Sequence, residues 1–396
     1  MQGFLRADGR KGIRNVLAVA YLVECAHHVA AEVAAPFRDR GIHVIGFPGC
    51  YPNAYASRLM TGLTTHPNVG AVLLVSLGCE SFDRHALARS IRASGRPVHS
   101  LVIQESGGTA ATIEAGRTWV QAAIEALQAT PRADFRVEEL IVGTICGGSD
   151  ATSGLTANPA VGRAFDLLIQ QGATAIFEET GELIGCEHLM AERAATKELG
   201  SEIIASVAKA ARYYQTLGHS SFAPGNADGG LTTIEEKSLG AYSKSGKSTI
   251  AGLIKPGDVP PAGGLYLLDV VPDGKVRFGF PNIADNAEIV ELIACGSHLV
   301  LFTTGRGSVV GSAISPVIKV CANPDTYRKL SDDMDVDAGR ILEGRGTLDE
   351  VGREICDLAL ATAGGRKTAS ERLGHQEFLL TYKSFDPIGP DCLPGA

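Results

Sequence analysis

The chain reads as an α/β protein in two parts. A doubly wound parallel sheet domain, flavodoxin-like in type, is expected over residues 1–130, followed by a second, larger α/β region over 135–396. Three observations carry this. Strand-like and helix-like segments alternate through the first third, the pattern that builds parallel sheets. The strands are short, continuous apolar runs, as strands covered on both faces require. The alternation then restarts after a short polar stretch, Thr130-Pro131-Arg132-Ala133-Asp134, which reads as a linker.

The elements follow in order. Val16 to Tyr21 is an apolar run read as a buried strand, and Ala26 to Phe37 has helical spacing that stops near Pro36 and Gly41. Strands are expected at Ile42 to Phe47, Val69 to Leu77 and Val98 to Gln104, and a long helix from about Ala110 to Leu127. The second region opens with a strand at Leu140 to Ile145. Asn158 reads as a helix N-cap with Pro159 at the first helical position, and Gly172 as the stop. Ala173 to Phe177 and Leu299 to Thr303 read as strands, and Glu202 to Thr216 as a helix. Gly218 to Gly264, rich in glycine, serine and lysine, is too long for an idle loop and reads as a functional one.

Composition narrows the function classes. Hydrophobic residues make up 45% and charged residues 20%, a globular balance. The formal charge of −8 argues against a nucleic-acid partner, because an acidic chain repels phosphate. No apolar run approaches the roughly 20 residues of a membrane helix. The charged start MQGFLRADGRKG does not resemble a secretion signal. Nine cysteines without a paired framework fit a cytoplasmic protein with reduced thiols.

Ligands of open α/β sheets bind outside the carboxyl ends of the strands. There this chain repeatedly offers a thiol or carboxylate beside glycine: Cys50, Cys79 with Glu80, Cys146 with Asp150, and Glu187 with His188. Thiolate, imidazole and carboxylate are the ligands of divalent metals. Any one of these cysteines can equally be a small buried hydrophobe. Cys25, Cys295, Cys321 and Cys356 sit in apolar contexts and read as core, and of His27 and His28 at most one can face a site. Two phosphate motifs nearly appear. Gly240 to Ser248 is one residue too long for a P-loop, and Gly305 to Gly311 one too long for the dinucleotide fingerprint. A nonenzymatic nucleotide- or anion-binding module built on them, with Lys244 and Lys247 as cations, is therefore the rival of another class.

Three long motifs resemble the altronate/galactarate dehydratase family. They are Cys146-Gly147-Gly148-Ser149-Asp150 with Ala157 to Gly162, then Gly229 to Gly240, then Leu301 to Gly307 with Pro316 to Lys319 and Asp333 to Asp335. Phe47-Pro48-Gly49-Cys50-Tyr51-Pro52-Asn53, Val270-Val271-Pro272, Glu179 to His188 and Leu373 to Phe378 depart from the sugar-acid members. They are similar instead to the branch of the family that splits (2R)-3-sulfolactate into pyruvate and sulfite. The chain opens on Arg6 to Asn15, where the catalytic part of the longer relatives starts. The resemblance therefore implies a separate small (alpha) subunit carrying a β-rich domain, and hence a hetero-oligomer.

The resemblance also implies a divalent metal, ferrous iron. Its ligands are expected among Cys50, Cys79, Glu80, Cys146, Asp150, Glu187 and His188. Such an ion chelates carboxylate and hydroxyl and stabilises the charge left by C2 proton loss. Lys237 is the candidate base, which needs a lowered pKa, and otherwise pairs with Glu235 or Glu236. His188 is a second candidate for proton transfer. Arg306 and Lys244, with Asn158 and the turns at Gly147, Gly148, Gly305 and Gly307, are the expected substrate-binding groups, the two cations serving the sulfonate. A sugar-acid dehydratase is the nearer rival, with hydroxide leaving in place of sulfite.

Overall fold

A computed structural model describes residues 1–218, 224–274, 284–381 and 383. They form two compact units, one centred on Gly3–Ala133 and one on Asp134–Val271 with the stretch up to Glu377. No helix among the described residues is long and apolar enough to cross a membrane.

The first unit holds a four-stranded parallel sheet: β1 (Val16–Tyr21), β2 (Ile42–Gly46), β3 (Val69–Ser76) and β4 (Val98–Val102). Its order is β2-β1-β3-β4, the start of the flavodoxin-type arrangement. Every residue of β1 and β3 is buried, as expected of central strands covered on both faces. The helices are α1 (His27–Ala34), α2 (Ala54–Thr64), α3 (Arg84–Ala93) and α4 (Thr109–Gln128). Asn53 caps α2 by accepting the Ala56 amide at 2.8 Å, and Asp83 caps α3 by accepting that of Ala86 at 2.8 Å. Buried arginines tie the loops below the sheet: Arg6 donates to the carbonyls of Pro67 and Arg14, and Arg96 to those of Val69 and His66.

The second unit holds seven parallel strands: β5 (Ile141–Cys146), β6 (Thr174–Phe177), β7 (Ile250–Ile254), β8 (Gly264–Leu268), β9 (Leu299–Thr304), β10 (Val317–Cys321) and β11 (Val336–Asp337). Their order is β7-β8-β6-β5-β9-β10-β11. The chain leaves β5 toward β6 on one side and returns to β9 on the other. The tips of β5 and β9 therefore flank the switch point where such sheets bind ligands. Five helices matter here: α5 (Ala157–Gln170), α6 (Lys197–Leu217), α7 (Ile234–Ser243), α8 (Asp285–Ala294) and α9 (Leu348–Ala363). Gly162 lets α5 meet the end of α7, since a Cβ there would lie 2.1 Å from the Ser243 carbonyl oxygen.

Several expectations are corrected. Arg132–Asp134 is a strand in a small sheet with Gln2–Leu5 and Lys11–Gly12, so the supposed linker is paired backbone. Thr156, not Asn158, stands at the N-cap of α5, which leaves the Asn158 side chain free to reach Gly240. The stretch Gly218 to Gly264 carries α7 and β7, and its residues 219–223 lie outside the described set, as do residues 384–396 of the expected second region.

Candidate active site

The tips of β5 and β9 are laced together. Gly147 donates to the Thr303 carbonyl at 2.9 Å, and the Gly305 and Arg306 amides both donate to the Gly148 carbonyl at 3.0 Å. Gly305 has to be glycine, because a Cβ there would lie 2.1 Å from Asp150 Oδ1. Asp150 is spent on this turn. Its Oδ1 accepts the Thr152 amide at 2.9 Å and the Thr152 hydroxyl at 2.6 Å, and its Oδ2 accepts from Asn323 at 2.8 Å.

Beside Cys146, the end of β6 runs into Glu178-Glu179 and a 3-10 turn over Thr180–Leu183. Glu179 adopts a left-handed backbone with φ of 92°, unusual for a side-chain-bearing residue and a mark of local strain held by its surroundings. What holds it is visible. Glu179 Oε1 accepts the Cys146 amide at 2.5 Å, and Oε2 pairs with the Lys244 ammonium.

Helix α7 faces this turn. Thr233 caps it by accepting the Glu236 amide at 3.2 Å, while Glu236 accepts the Thr232 amide at 2.7 Å. Lys237 and Lys244 are seven residues apart, two turns on one face. Glu179 and Glu182 are three apart on the facing turn. Lys237 Nζ lies 2.6 Å from Glu182 Oε2, 3.5 Å from Ser149 Oγ and 3.9 Å from Cys146 Sγ. The pairing expected with Glu235 or Glu236 is thus made with Glu182 instead.

The electrostatics follow from burial and this pairing. Burial opposes charge on Lys237 and Lys244, but the carboxylates of Glu182 and Glu179 outweigh it, and both lysines are pushed up and held as ammonium ions. Lys237 therefore lacks the lowered pKa that a base needs. Burial and the Glu179 charge push the Cys146 thiol well up, so it stays protonated. Glu179 is buried too, yet Lys244 and Lys237 hold its carboxyl below the usual range. Burial lifts the Glu182 carboxyl despite Lys237. Burial, then the charge of Glu179, pushes Asp285 up to about 6.

Cys146, Glu179 and Glu182 bring ligand atoms within 4.8 Å of one another, the possible metal-binding group among the described residues. A thiol with two carboxylates suits a borderline divalent ion. Binding would have to expel the thiol proton and draw the carboxylates away from the two ammonium groups.

Of the other expected ligands, Glu187 and His188 belong to the same unit but are not part of this group. Glu187 is held by the Gly185 amide at 2.7 Å, and His188 is exposed on the short helix Glu187–Glu192. Glu80 is held by the Ser76 hydroxyl and by the Gly78 amide at 2.7 Å, while Cys50 and Cys79 are exposed in the first unit. Cys25 is exposed as well, against the core position expected of it, whereas Cys295, Cys321 and Cys356 are buried. Of the sulfonate candidates, Lys244 is committed to Glu179, and Arg306 is exposed and donates to the Gly225 carbonyl. The near-P-loop is the end of α7. Its Lys247 and Ser248 amides donate to Asp166 at 2.9 Å, so an internal carboxylate sits where a phosphate would.

A cavity of about 270 Å³ opens beside Lys237, with Ser149, Ser153, Asn158 and Gly240 on its wall. Asn158 Nδ2 donates to the Gly240 carbonyl at 3.0 Å, while its buried Oδ1 has no hydrogen-bond partner among the described residues. Glu179, Glu182, Ser149 and Asp285 were not singled out from the sequence. The findable signal was the spacing: two glutamates three apart after a strand, two lysines seven apart on a helix.

Two family models match the chain: "D-galactarate/Altronate dehydratase, C-terminal" over residues 137–385, and "D-galactarate dehydratase/Altronate hydrolase, second domain" over 3–128. The beta subunit of (2R)-sulfolactate sulfo-lyase from Chromohalobacter salexigens is 36% identical, over 96% of each chain. Altronate dehydratase from Bacillus subtilis is 30% identical over 97% of this chain and 77% of its own. Galactarate dehydratase (L-threo-forming) from Escherichia coli is 32% identical over 96% and 76%. With these matches running across both units and through the Cys146, Glu179 and Lys237 segments, the chain belongs to the D-galactarate/altronate dehydratase family of lyases.

Proposed function

We propose that the chain is the catalytic subunit of a lyase that takes the C2 proton from (2R)-3-sulfolactate and expels sulfite from C3, leaving pyruvate. The observation that carries this reading is the Lys237 ammonium on the cavity wall, 2.6 Å from a Glu182 carboxylate whose proton affinity burial has raised. The sulfonate as leaving group is supported by the 36% identity to a sulfolactate sulfo-lyase subunit.

The groups divide the work. Lys237 pairs with the substrate carboxylate, which also makes the C2 proton easier to remove. Asn158 Oδ1 accepts the C2 hydroxyl, a partner that it lacks among the described residues. Glu182 takes the C2 proton on a carboxylate oxygen. The electrons of the C2–H bond form the C2–C3 double bond, and those of the C3–S bond leave with sulfite. Enolpyruvate then gains a proton at C3, loses the one on its C2 oxygen and becomes pyruvate. Glu179 and Lys244 neutralise each other beneath the site and hold the Cys146 turn. A divalent ion on Cys146, Glu179 and Glu182, ferrous iron in this reading, would supply Lewis-acid stabilisation of the charge that builds on the substrate carboxylate. The same relative is named a beta subunit, which supports a second, small subunit as the partner.

The test is to copurify the chain with its candidate small subunit, load ferrous iron without oxygen, and offer sulfolactate, altronate and galactarate separately. Sulfite and pyruvate formed in equal amounts from sulfolactate alone is the expected result. Turnover of a sugar acid without sulfolactate cleavage would replace this reading with the dehydratase one.

A further inference from the structure

Three exposed thiols stand in register at one edge of the first unit's sheet. Tyr21 of β1 pairs laterally with Gly46 of β2 and with Val75 of β3. Cys25, Cys50 and Cys79 each lie four residues beyond one member of that row. Their loops are hydrogen-bonded to one another. The Glu24 amide donates to the Pro48 carbonyl at 3.2 Å, and the Ser81 amide to the Cys50 carbonyl at 2.9 Å. Cys25, Cys50 and Cys79 are the exposed cysteines among the described residues, and the other five are buried.

Chance does not readily produce this. An exposed thiol is an oxidation hazard, and core packing gives no reason to keep three at neighbouring strand ends. The turn after β3 is also arranged to present its thiol. Glu80 folds back onto the Ser76 hydroxyl and Gly78 amide, which leaves Cys79 facing outward. At the same edge, α4 begins at Gly108 with no side-chain cap on its first-turn amides, a local positive potential.

We propose that Cys25, Cys50 and Cys79 hold an iron–sulfur cluster through three thiolates, with one iron left for an outside ligand. Soft thiolates without imidazole select such clusters. The three thiols do not lie within 4.8 Å of one another, as sulfurs around a single ion with bonds of about 2.3 Å must. A cluster, with the iron atoms themselves spread over its corners, spans the wider gap. The anionic thiolate-bound cluster suits the bare amides of α4. This site uses other residues than the Cys146 group and does not depend on which acid the lyase cleaves.

The experiment reconstitutes the full chain anaerobically with ferrous iron and sulfide, removes unbound reagents, and measures iron, acid-labile sulfide and visible absorption. About four sulfide per chain, with about four iron beyond the single ion assigned to the Cys146 group and a broad sulfide-to-iron absorption band, are expected. Cys25→Ser, Cys50→Ser and Cys79→Ser should each cut bound sulfide on the order of fivefold. Cys356→Ser and Cys146→Ser should leave it unchanged, the latter separating this site from the Cys146 group. Thermal unfolding of each variant checks that it folds. Iron bound without sulfide, no sulfide in the wild type, or full sulfide in all three thiol variants would overturn the proposal.

Discussion

Lys237 Nζ sits 2.6 Å from Glu182 Oε2, and this ion pair joins α7 to the turn after β6 at the wall of the cavity. In the reading above the two residues do different work, so their removal should separate in kinetics. Glu182→Gln keeps the shape but cannot accept a proton, and kcat should fall about a hundredfold or more. Lys237→Gln loses a charge-assisted contact to the substrate carboxylate, and KM should rise roughly ten- to a hundredfold. Steady-state kinetics of the two variants checks this. Identical kcat losses with unchanged KM would mean that Lys237 moves a proton.

Glu179 and Lys244 form the deeper pair, with side chains 3% and 1% exposed. Removing one partner leaves a buried charge, which typically costs about 3–5 kcal/mol. Lys244→Met and Glu179→Gln should each destabilise on that scale in urea unfolding. The double variant should lose less than the sum, because neither charge is then stranded. Strict additivity would show that the two side chains do not stabilise each other.

The sheet strands were legible because β1, β3 and β9 are buried on both faces and so read as unbroken apolar runs. Lateral order is not written in such runs, since every parallel strand looks alike from its own residues. Arg132–Asp134 reads as a linker because edge strands carry polar side chains and only their backbone pairing defines them. Cys25 was misread for a related reason. Val23 and Ala26 beside it are buried, but the 3-10 turn Glu24–Ala26 rotates Cys25 outward. Lys237 is marked by its motif, while Glu179 and Glu182 stand in the stretch Glu179 to His188 with nothing there to mark them as site residues. A carboxylate after a strand looks like any solvated loop until a distant helix brings an ammonium to it.

Asp8 gives an acid limb to stability. Burial works to raise its carboxyl pKa, but hydrogen bonds from Arg10 and Arg96 outweigh it and lower it from 3.8 to about 2. The folded state therefore favours the ionised form. Its contribution is complete above the unfolded pKa and fades as pH falls through the folded one. The Tm difference between wild type and Asp8→Asn should be constant above pH ~5 and shrink toward pH ~2. A difference that grows on acidification would reverse the assignment.

Cys146 and Asp150 should part company in metal binding. Cys146→Ser replaces the soft donor of the three-residue group, so bound ferrous iron measured by elemental analysis should drop about tenfold. Asp150→Ala instead frees the Thr152 and Asn323 groups that hold the turn. Its expected signature is a lower Tm, by about 1–3 °C in a chain of this size for ~1–2 kcal/mol lost, with iron retained by the folded fraction. Iron lost from a folded Asp150→Ala variant would make Asp150 a ligand.

Arg306 tests the leaving group. Its side chain is exposed and donates to the Gly225 carbonyl, so it is free to exchange that contact for an anion entering above the Gly148 turn. An exposed charge pair contributes under about 1 kcal/mol, or roughly fivefold in affinity. Arg306→Ala should weaken competitive binding of sulfolactate by that factor. Lactate carries the same carboxylate and C2 hydroxyl but no sulfonate, so its binding should not change. Raising the salt concentration should shrink the wild-type advantage for sulfolactate, because exposed pairs are screened. Equal losses for both ligands would move Arg306 to the carboxylate, and no loss for either would leave it as a tie between the β9 tip and Gly225.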